Sequence, residues 1–470
     1  MSQRKKYLAK NTALFALNSI GSRIITFLLV PLYTSVFTSG EYGTFDVITA
    51  ISTVLVPVIT INIGEAVMRF SLDRDADKNG IVSIGLFFSA VSFVLGSLAF
   101  LVMRFFPQVD VNPWFVYAYC VTQGLYVTFA CNLRGQEKLF HYAMGNILHT
   151  FFAAVFNIIF LVYFRWGIPG YFYAYILANI LTFLYCFVTG SVINVFSNFH
   201  LDQKLMKEMA KYAIMFVPHS LMWWIMNSSD HVMVTAMISL SANGIYAISY
   251  KIPSILSSLS TVFNQAWSYS AIHENESEDR EAFNNNMYGR LTKFLLLVTS
   301  FLMCVIKPFL QFYVPQPEYA EAWLYTPYLL VGYFFLTVGT FLSIIYNVNK
   351  DSRGFMFSGV IGAVLNIVMN FLFIPRIGVH GAALATCVSY IVVFLYTAWD
   401  TRKFMVVHVE KPEYVIGYFV LILSACSMYF QNIPGHLFRI AVFVFFLFFY
   451  RSFVKECLDL ALRIVKRRKA

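Results

Sequence analysis

Two basic residues lie inside stretches that the sequence predicts to cross a membrane, and they are the first candidates for chemistry. Arg23 stands near the middle of the apolar stretch 11–37, and Lys251 stands in the aromatic stretch 246–253. Pro253 is expected to kink and interrupt the predicted helix there. A charge at the centre of a membrane helix costs roughly 2.5–3.5 kcal/mol on insertion scales, so such residues commonly serve a function. If both line a central cavity, the ligand that suits them is an anion such as a phosphate or diphosphate, which Arg binds through paired hydrogen bonds.

Carboxylates that could pair with these charges lie near the ends of two predicted spans. Asp46 and Asp230 are the expected partners, with a role in gating or in ion coupling as the functional interpretation. For Lys251 the alternative is a structural ion pair, or a side chain that reaches toward the outer membrane face. Arg23 lies deeper in its span, so its side chain reaches the membrane surface less easily. Both interpretations stay open.

A second charged pair lies at the inner end of the second predicted span. Glu65 and Arg69 are four residues apart on a predicted helix, so a surface salt bridge is the favoured interpretation. The alternative is a gate contact at the inner mouth of a cavity. Proton coupling at Asp230 or His219 is a further alternative, because histidine titrates near neutral pH.

The composition is that of an all-α polytopic membrane protein. Hydrophobic residues make up 59% of the 470 residues, and charged residues make up 12%, against about 25% in a soluble domain. The first apolar stretch is too long for a signal peptide and is predicted to be a retained span. Fourteen spans are predicted, near residues 11–37, 44–68, 80–103, 112–133, 141–164, 168–193, 208–229, 243–269, 288–313, 322–347, 354–375, 378–399, 413–432 and 436–453.

The distribution of basic residues predicts the orientation of these spans. Of the 34 Lys and Arg residues, 27 fall on the side of the N-terminus, five fall on the opposite side, and two are Arg23 and Lys251. Cytoplasmic loops carry the excess of Lys and Arg, so both termini are predicted to be cytoplasmic. The net charge of +10 is thereby explained by topology, and nucleic-acid binding is excluded.

Short sequence echoes predict an internal repeat. The hexapeptide at 165–170 (RWGIPG) resembles the one at 376–381 (RIGVHG), and residues 39–45 resemble residues 241–246. The members of each pair occupy equivalent places in two sets of six spans. Two parallel repeats follow from this count. A ligand-binding role of Arg23 and Lys251 requires a central cavity between them.

The predicted domains follow from the repeat. A six-helix lobe covers residues 1–200, a second six-helix lobe covers 201–403, and two further spans with a basic tail cover 404–470. Apolar residues recur at helical spacing on one face of the tail over 451–469. This segment is predicted to form an amphipathic helix on the anionic cytoplasmic leaflet.

The loops lack the motifs of an enzyme. They contain no phosphate-binding glycine loop, no nucleophile motif and no catalytic dyad, and they are short. The seven Cys are scattered singly, and the nine His have no ligand spacing. We therefore expect neither catalysis nor a bound metal.

Motifs along the whole chain resemble those of the polysaccharide flippases, the O-antigen and capsule repeat-unit exporters of the multidrug/oligosaccharidyl-lipid/polysaccharide (MOP) superfamily. The residues that carry the resemblance are Pro31-Leu-Tyr33, Glu41-Tyr-Gly43, Arg69-Phe70, Gly244-Ile-Tyr246, Tyr250-Lys-Ile252, Phe263-Asn-Gln-Ala-Trp267 and Pro375-Arg-Ile-Gly378-Val-His-Gly381-Ala-Ala383. The resemblance implies two six-helix lobes that work by alternating access. It also implies a groove for a lipid tail at the last two spans.

The substrate implied by this resemblance is an undecaprenyl-diphosphate-linked oligosaccharide, flipped across the bacterial plasma membrane. Arg23 and Lys251 are placed to bind the diphosphate. No cofactor is expected, and coupling to Na⁺ or H⁺ stays open. Expected partners are membrane lipids, a polysaccharide polymerase and glycosyltransferases. Three alternatives stay open, namely a lipid II flippase, an ion-coupled antiporter of organic cations and a membrane scaffold.

Overall fold

Every regular element in the described part of the chain is a helix. The computed structural model describes residues 21–22, 24–73, 75–258, 261, 263–264, 280–349 and 351–459. Its backbone forms two compact units. The first consists of the chain up to Ala247 with Val314–Tyr319, and the second consists of Ile248–Tyr313 and the chain from Ala320 onward. The predicted lobe boundaries at 200 and 403 stay a prediction.

The first unit contains the helices α1 to α10 and most of α11. Their bounds are α1 Ile24–Val36, α2 Ser39–Ile59, α3 Ile63–Ser71, α4 Lys78–Leu95, α5 Leu98–Met103, α6 Pro113–Gly135, α7 Leu139–Asn157, α8 Gly167–Thr189, α9 Gln203–Ile214, α10 Phe216–Met237 and α11 Leu240–Ser249. A π-helical turn, Ile158–Tyr163, extends α7. Its core includes a cluster in which α3, α4 and α9 bury Ile63, Ile84 and Met209.

The second unit continues from the end of α11. Its helices are α12 at residues 253–258, α13 Arg280–Tyr313, α14 Thr326–Val348, α15 Ser352–Ile377, α16 Val379–Asp400, α17 Pro412–Ser427, α18 Ile433–Phe449 and α19 Arg451–Asp459. The described part of the predicted amphipathic tail is α19, which bends by 73° from α18. Arg290 on α13 forms an ion pair with Glu456 on α19 at 2.7 Å.

The described helices confirm an all-helical polytopic membrane protein. Eight stretches of described helix are long and apolar enough to cross a membrane, with α4 and α5 counted as one stretch. The bent pair α18 and α19 makes a ninth if it counts as one span. Each of the fourteen predicted spans coincides with described helix over at least part of its length. The count of fourteen crossings stays a prediction.

The structure corrects the prediction of one unbroken span at 44–68. The helix ends at Ile59, and Ile61 and Asn62 adopt left-handed backbone angles, with φ of 52° and 56°. A new helix, α3, then begins at Ile63. A β-branched residue such as Ile61 rarely adopts this conformation, so the sequence offered no signal for the break.

Two further breaks interrupt predicted spans. The helix that covers 208–229 in the prediction is divided at Met215 into α9 and α10. Residues Tyr250 to Ile252 form a turn before Pro253, where α12 begins. The predicted interruption at Pro253 is confirmed, because proline has no N–H to continue the hydrogen bonding of a preceding helix.

The starts of α2 and α11 both carry a hydroxyl cap, at Thr38 and at the equivalent Ser239, which supports the predicted repeat. The Thr38 hydroxyl accepts a hydrogen bond from the Glu41 backbone N–H, and the Glu41 carboxylate accepts one from the Thr38 N–H. At α11 the Ser239 hydroxyl accepts from the Ala242 N–H at 3.1 Å. Side chains that cap a helix in this way satisfy N–H groups that lack a partner in the helix.

Candidate functional site

A buried cluster of ionisable side chains lies in the first unit, where α2, α10 and α11 pack together. His231 on α10 places its Nδ1 atom 2.8 Å from Asp46 Oδ2 on α2. Its Nε2 atom lies 4.0 Å from Oδ1 of Asp230, the preceding residue. Tyr246 on α11 donates its hydroxyl to Asp230 Oδ2 at 2.8 Å. We call these four residues the Asp–His cluster.

Neighbouring groups hold the members of the Asp–His cluster in place. The Asn243 side-chain amide donates to Asp46 Oδ2 at 3.1 Å and to the Gly43 carbonyl at 3.2 Å. The His231 ring lies 5.2 Å from the Tyr246 ring. Trp224, two turns earlier on α10, donates its indole N–H to the Ala50 carbonyl of α2 at 2.6 Å. These contacts fix α10 against α2.

Most of the Asp–His cluster is removed from solvent, while the Asp46 side chain is 16% exposed. Asp230 is 1% exposed and His231 is 8% exposed. Buried carboxylates are expensive unless they are hydrogen-bonded, and both carboxylates here accept hydrogen bonds. The chemistry that an imidazole between two carboxylates can perform is the binding and release of a proton. The described residues contain no group of three or more acidic, His or Cys side chains that could hold a metal ion.

The sequence predicted part of this site. Asp46 and Asp230 were expected as partners of Arg23 and Lys251. The structure places both carboxylates beside His231. Arg23 lies outside the described residues, so its pairing stays a prediction. No role was predicted for His231 or Tyr246. The signal for His231 was a pair of adjacent ionisable residues, Asp230 and His231, in an apolar stretch.

Lys251 lies in the second unit, in the turn between α11 and α12. Its side chain is partly buried, and its backbone N–H donates to the Ile248 carbonyl at 3.1 Å. The neighbouring Tyr250 is buried, with its ring 6.0 Å from that of Tyr333. A lysine at a helix break within an apolar stretch is the environment that the sequence predicted.

A ladder of buried amide and hydroxyl groups lies beside this turn. The Tyr250 hydroxyl is 3.5 Å from Thr386 Oγ1, and Asn366 Nδ2 donates to the same oxygen at 3.3 Å. Asn370, one turn further on α15, donates to Asn366 Oδ1 at 2.9 Å. This ladder could not be predicted from the sequence, because its residues are uncharged and come from three separate segments.

The predicted salt bridge between Glu65 and Arg69 is wrong. Arg69 pairs instead with Asp73, at 2.7 Å, and both side chains are more than half exposed. Glu65 lies in the first turn of α3 and Arg69 in its last turn. Each charge is therefore placed favourably with respect to the helix dipole. The alternative role of either residue in a gate stays a prediction.

The second unit also contains an apolar cavity of about 490 Å³. Residues of α14, α16 and α17 line it, among them Phe335, Phe394 and Tyr418. An ion pair between Arg402 and Glu410, 3.2 Å apart, lies at its polar end. Such a cavity accommodates a hydrocarbon chain better than a polar ligand.

Buried ionisable residues inside an all-helical polytopic fold are typical of membrane transporters. The match of residues 8–272 to the polysaccharide biosynthesis protein family covers more than half of the chain. The chain therefore belongs to the polysaccharide biosynthesis protein family. This membership confirms the family resemblance and the prediction of a transporter that is not an enzyme.

Solved structures with the same fold are transporters of the MOP superfamily. The lipid II flippase MurJ, in an inward closed conformation, is 15% identical with a TM-score of 0.71, and the match covers 94% of this chain and 100% of that one. An inward-facing multidrug resistance MATE family transporter is 11% identical with a TM-score of 0.63, covering 89% and 96%. At these identities the likeness concerns the fold.

A relative in sequence is the uncharacterized membrane protein MJ1068 of Methanocaldococcus jannaschii. It is 27% identical over 166 residues, which are 32% of this chain and 32% of the relative. The match thus spans about a third of that relative's length, and the relative is named as a membrane protein.

Proposed function

We propose that this protein is a flippase that moves undecaprenyl-diphosphate-linked oligosaccharide repeat units across the bacterial plasma membrane for surface polysaccharide synthesis. The observation that carries the proposal is the match to the flippase fold over 94% of the chain, in a member of the polysaccharide biosynthesis protein family. Translocation would proceed by alternating access around a site between the repeats. Both termini would be cytoplasmic, as the distribution of Lys and Arg predicts.

The proposed contacts to the diphosphate come from Arg23 and Lys251. Lys251 supports this role because it lies in an interrupted helix, where a lysine side chain can reach a ligand in a cavity. Arg binds phosphate oxygens through two N–H groups, and Lys acts as a compact point charge. Together they would offset the negative charge of the diphosphate. No covalent chemistry or cofactor is needed for this step.

The proposed place for the polyprenyl tail is the cavity lined by α14, α16 and α17. Its walls are aromatic and aliphatic, and its volume of about 490 Å³ accommodates part of a long hydrocarbon chain. The C-terminal helix α17 contributes Val415 and Tyr418 to the lining. Of the last two predicted spans, which the resemblance associates with a lipid-tail groove, α17 contributes to this lining. Membrane lipids, a polymerase and glycosyltransferases are the proposed partners.

A second candidate is an ion-coupled antiporter of organic cations. It is favoured by the buried carboxylates of Asp46 and Asp230, because a cation exporter needs acidic groups within the membrane. Both carboxylates are already hydrogen-bonded, however, to His231 and to Tyr246. They are better placed to bind a proton than a bulky cation. A lipid II flippase, which acts on the same type of lipid carrier, is the third candidate.

The diphosphate role is tested by replacing the two basic residues in a strain that lacks the chromosomal gene. We expect the double variant Arg23→Ala with Lys251→Ala to lower surface-polysaccharide export at least tenfold, since a hydrogen bond to a charged group contributes about 1.5–3 kcal/mol. Lys251→Arg should retain export. The matched control is Arg104→Ala, which removes an exposed charge at the end of α5. Normal export by the double variant at normal protein levels would exclude this role.

A further inference from the structure

The Asp–His cluster joins segments from both copies of the internal repeat. Asp46 lies two helical turns into α2, which begins in the first copy of the predicted repeat. His231 lies two helical turns before the end of α10 and just before the second copy. Next to it, the hydroxyls of Ser39 and Ser241, near the starts of α2 and α11, are 2.6 Å apart. The contact between the repeat copies at this end therefore contains one ionisable imidazole.

Titratable groups face the His231 imidazole from each of the three helices packed around it. They are Asp46 of α2, Asp230 of α10 and Tyr246 of α11. With Tyr246 neutral and both carboxylates ionised, the Asp–His cluster carries a charge of −2 around a neutral imidazole and −1 around an imidazolium. Each buried charge carries a desolvation cost. An imidazolium donates an N–H to Asp46 Oδ2 at 2.8 Å and carries its second N–H, on Nε2, 4.0 Å from Asp230 Oδ1.

We propose that the Asp–His cluster is a proton-binding latch. With a proton on His231, the latch holds α2 against α10 and α11; loss of that proton leaves two carboxylates around a neutral ring and releases the contact. In the proposed topology this end faces the outer side of the membrane, so the proton would be bound in the outward-closed state and released as that side opens. This inference rests on the proposed transport function, of which it names the coupling ion.

The sign of the pH dependence follows from linkage. If the closed state holds one proton more than the open state, the ratio of open to closed molecules rises up to tenfold for each unit of increasing pH. The change lies within the pH range in which the latch titrates. A latch that bound Na⁺ instead would respond to the sodium concentration at constant pH.

Spin labels on the full-length protein in nanodiscs test this latch without a substrate. Ser35→Cys, at the end of α1, and Ile238→Cys, just after α10, are exposed positions of the first unit. The exposed Cys426 and Cys457 are replaced by Ser in the background. Distances between the labels are measured by double electron–electron resonance from pH 5 to 9 in choline chloride. We expect a longer-distance population that grows with pH.

The variants decide whether the Asp–His cluster causes this change. His231→Gln should make the distance distribution independent of pH, and Asp46→Asn should weaken its dependence. The matched control is His149→Gln, since His149 is also hydrogen-bonded in a membrane helix, to Asn179, but lies outside the cluster. His149→Gln should behave like the unmodified protein. Size-exclusion chromatography and label-free melting confirm that each variant is folded, and Tyr246→Phe offers a second variant if His231→Gln is not.

Three results would overturn the latch. They are a distance distribution that does not change with pH, a pH dependence that persists in His231→Gln, and a shift that follows sodium instead of pH. The readout is independent of the transported lipid. A latch that responds to pH in a protein that flips no lipid would therefore reject the proposed function and retain the proton site. Lipid flipping by a protein whose label distances do not respond to pH would reject the proton site and retain the proposed function.

Discussion

Gly43 and Gly244, the equivalent glycines of the predicted internal repeat, lie against each other's helices in the first unit. A methyl group added at Gly43 would lie 1.8 Å from the Leu240 carbonyl oxygen, and one added at Gly244 would lie 1.9 Å from the Ser39 carbonyl oxygen. The near-equal distances show that the two helix starts approach each other symmetrically. Only a residue without a side chain permits so close an approach of two backbones.

Alanine at Gly43 should therefore destabilise this contact. The methyl group forces α2 and α11 apart, and overpacking of this kind typically costs about 1–3 kcal/mol. Gly40→Ala is the control, because no atom lies within 4 Å of the added methyl group at that position of the same helix. Thermal unfolding in detergent should show a lower midpoint for Gly43→Ala and Gly244→Ala than for Gly40→Ala. Equal midpoints would contradict the close approach.

A second glycine of the repeat is required by its backbone conformation. Gly378, between α15 and α16, has a φ of 62° and a ψ of −142°, a region that is essentially restricted to glycine. Gly378→Ala should cost about 1–3 kcal/mol of stability through strain alone. Gly359→Ala, within α15 and with open space around it, should be neutral or stabilising. A melting midpoint of Gly378→Ala that matches Gly359→Ala would show that the turn tolerates other residues.

An ion pair outside the predicted spans should make stability depend on pH. The pKa of His200 is raised by its hydrogen bond with the Asn198 carbonyl and by the Asp77 carboxylate 2.6 Å away. A raised pKa in the folded state adds stability below the ordinary histidine value of about 6.5, and this contribution is lost as the pH rises through the folded pKa.

The measurement is the melting midpoint of the protein and of His200→Gln between about pH 5.5 and 8. We expect the difference between them to shrink as the pH rises. Introduced into both proteins, Asp77→Asn should also shrink the difference in melting midpoint that His200→Gln causes, because it removes the carboxylate while asparagine can still cap α4. Asp75→Asn is the neighbouring control. A constant difference across this range would show that the pair does not contribute.

The exposed pair of Arg69 and Asp73 should contribute little to transport. Exposed ion pairs are screened by solvent and salt, and both of these side chains are more than half exposed to solvent. We expect Arg69→Gln and Asp73→Asn to export surface polysaccharide at the level of the unmodified protein. A strong loss of export in Arg69→Gln, with unchanged protein levels, would instead support the gate contact that the sequence left open.

Features that depend on neighbouring residues in the chain could be predicted from the sequence. The apolar stretches predicted the helices, and Pro253 predicted the interruption beside Lys251, because proline cannot continue a helix. The break at Ile61 could not be predicted. Its left-handed backbone is one that a β-branched residue seldom adopts, so packing within the unit must overcome the local preference.

The candidate site could be predicted only in part, because local patterns identify single residues and do not show which residues meet. A carboxylate in an apolar stretch is conspicuous, so Asp46 and Asp230 could be identified one at a time. Their connection through His231 joins residues 185 positions apart in the chain. Pairing over such a distance is set by how α2 packs against α10, which local patterns do not specify.

The most direct test of the proposed function is lipid translocation by the purified protein in proteoliposomes. A short-chain polyprenyl-diphosphate oligosaccharide with a fluorescent sugar is placed in both leaflets, and a membrane-impermeant quencher is added outside. We predict that the protein makes nearly all of the lipid accessible to the quencher, whereas protein-free liposomes leave about half protected. Arg23→Ala with Lys251→Ala should behave like protein-free liposomes. Continued protection of the lipid by the folded protein, together with proton-driven transport of an organic cation, would contradict the flippase.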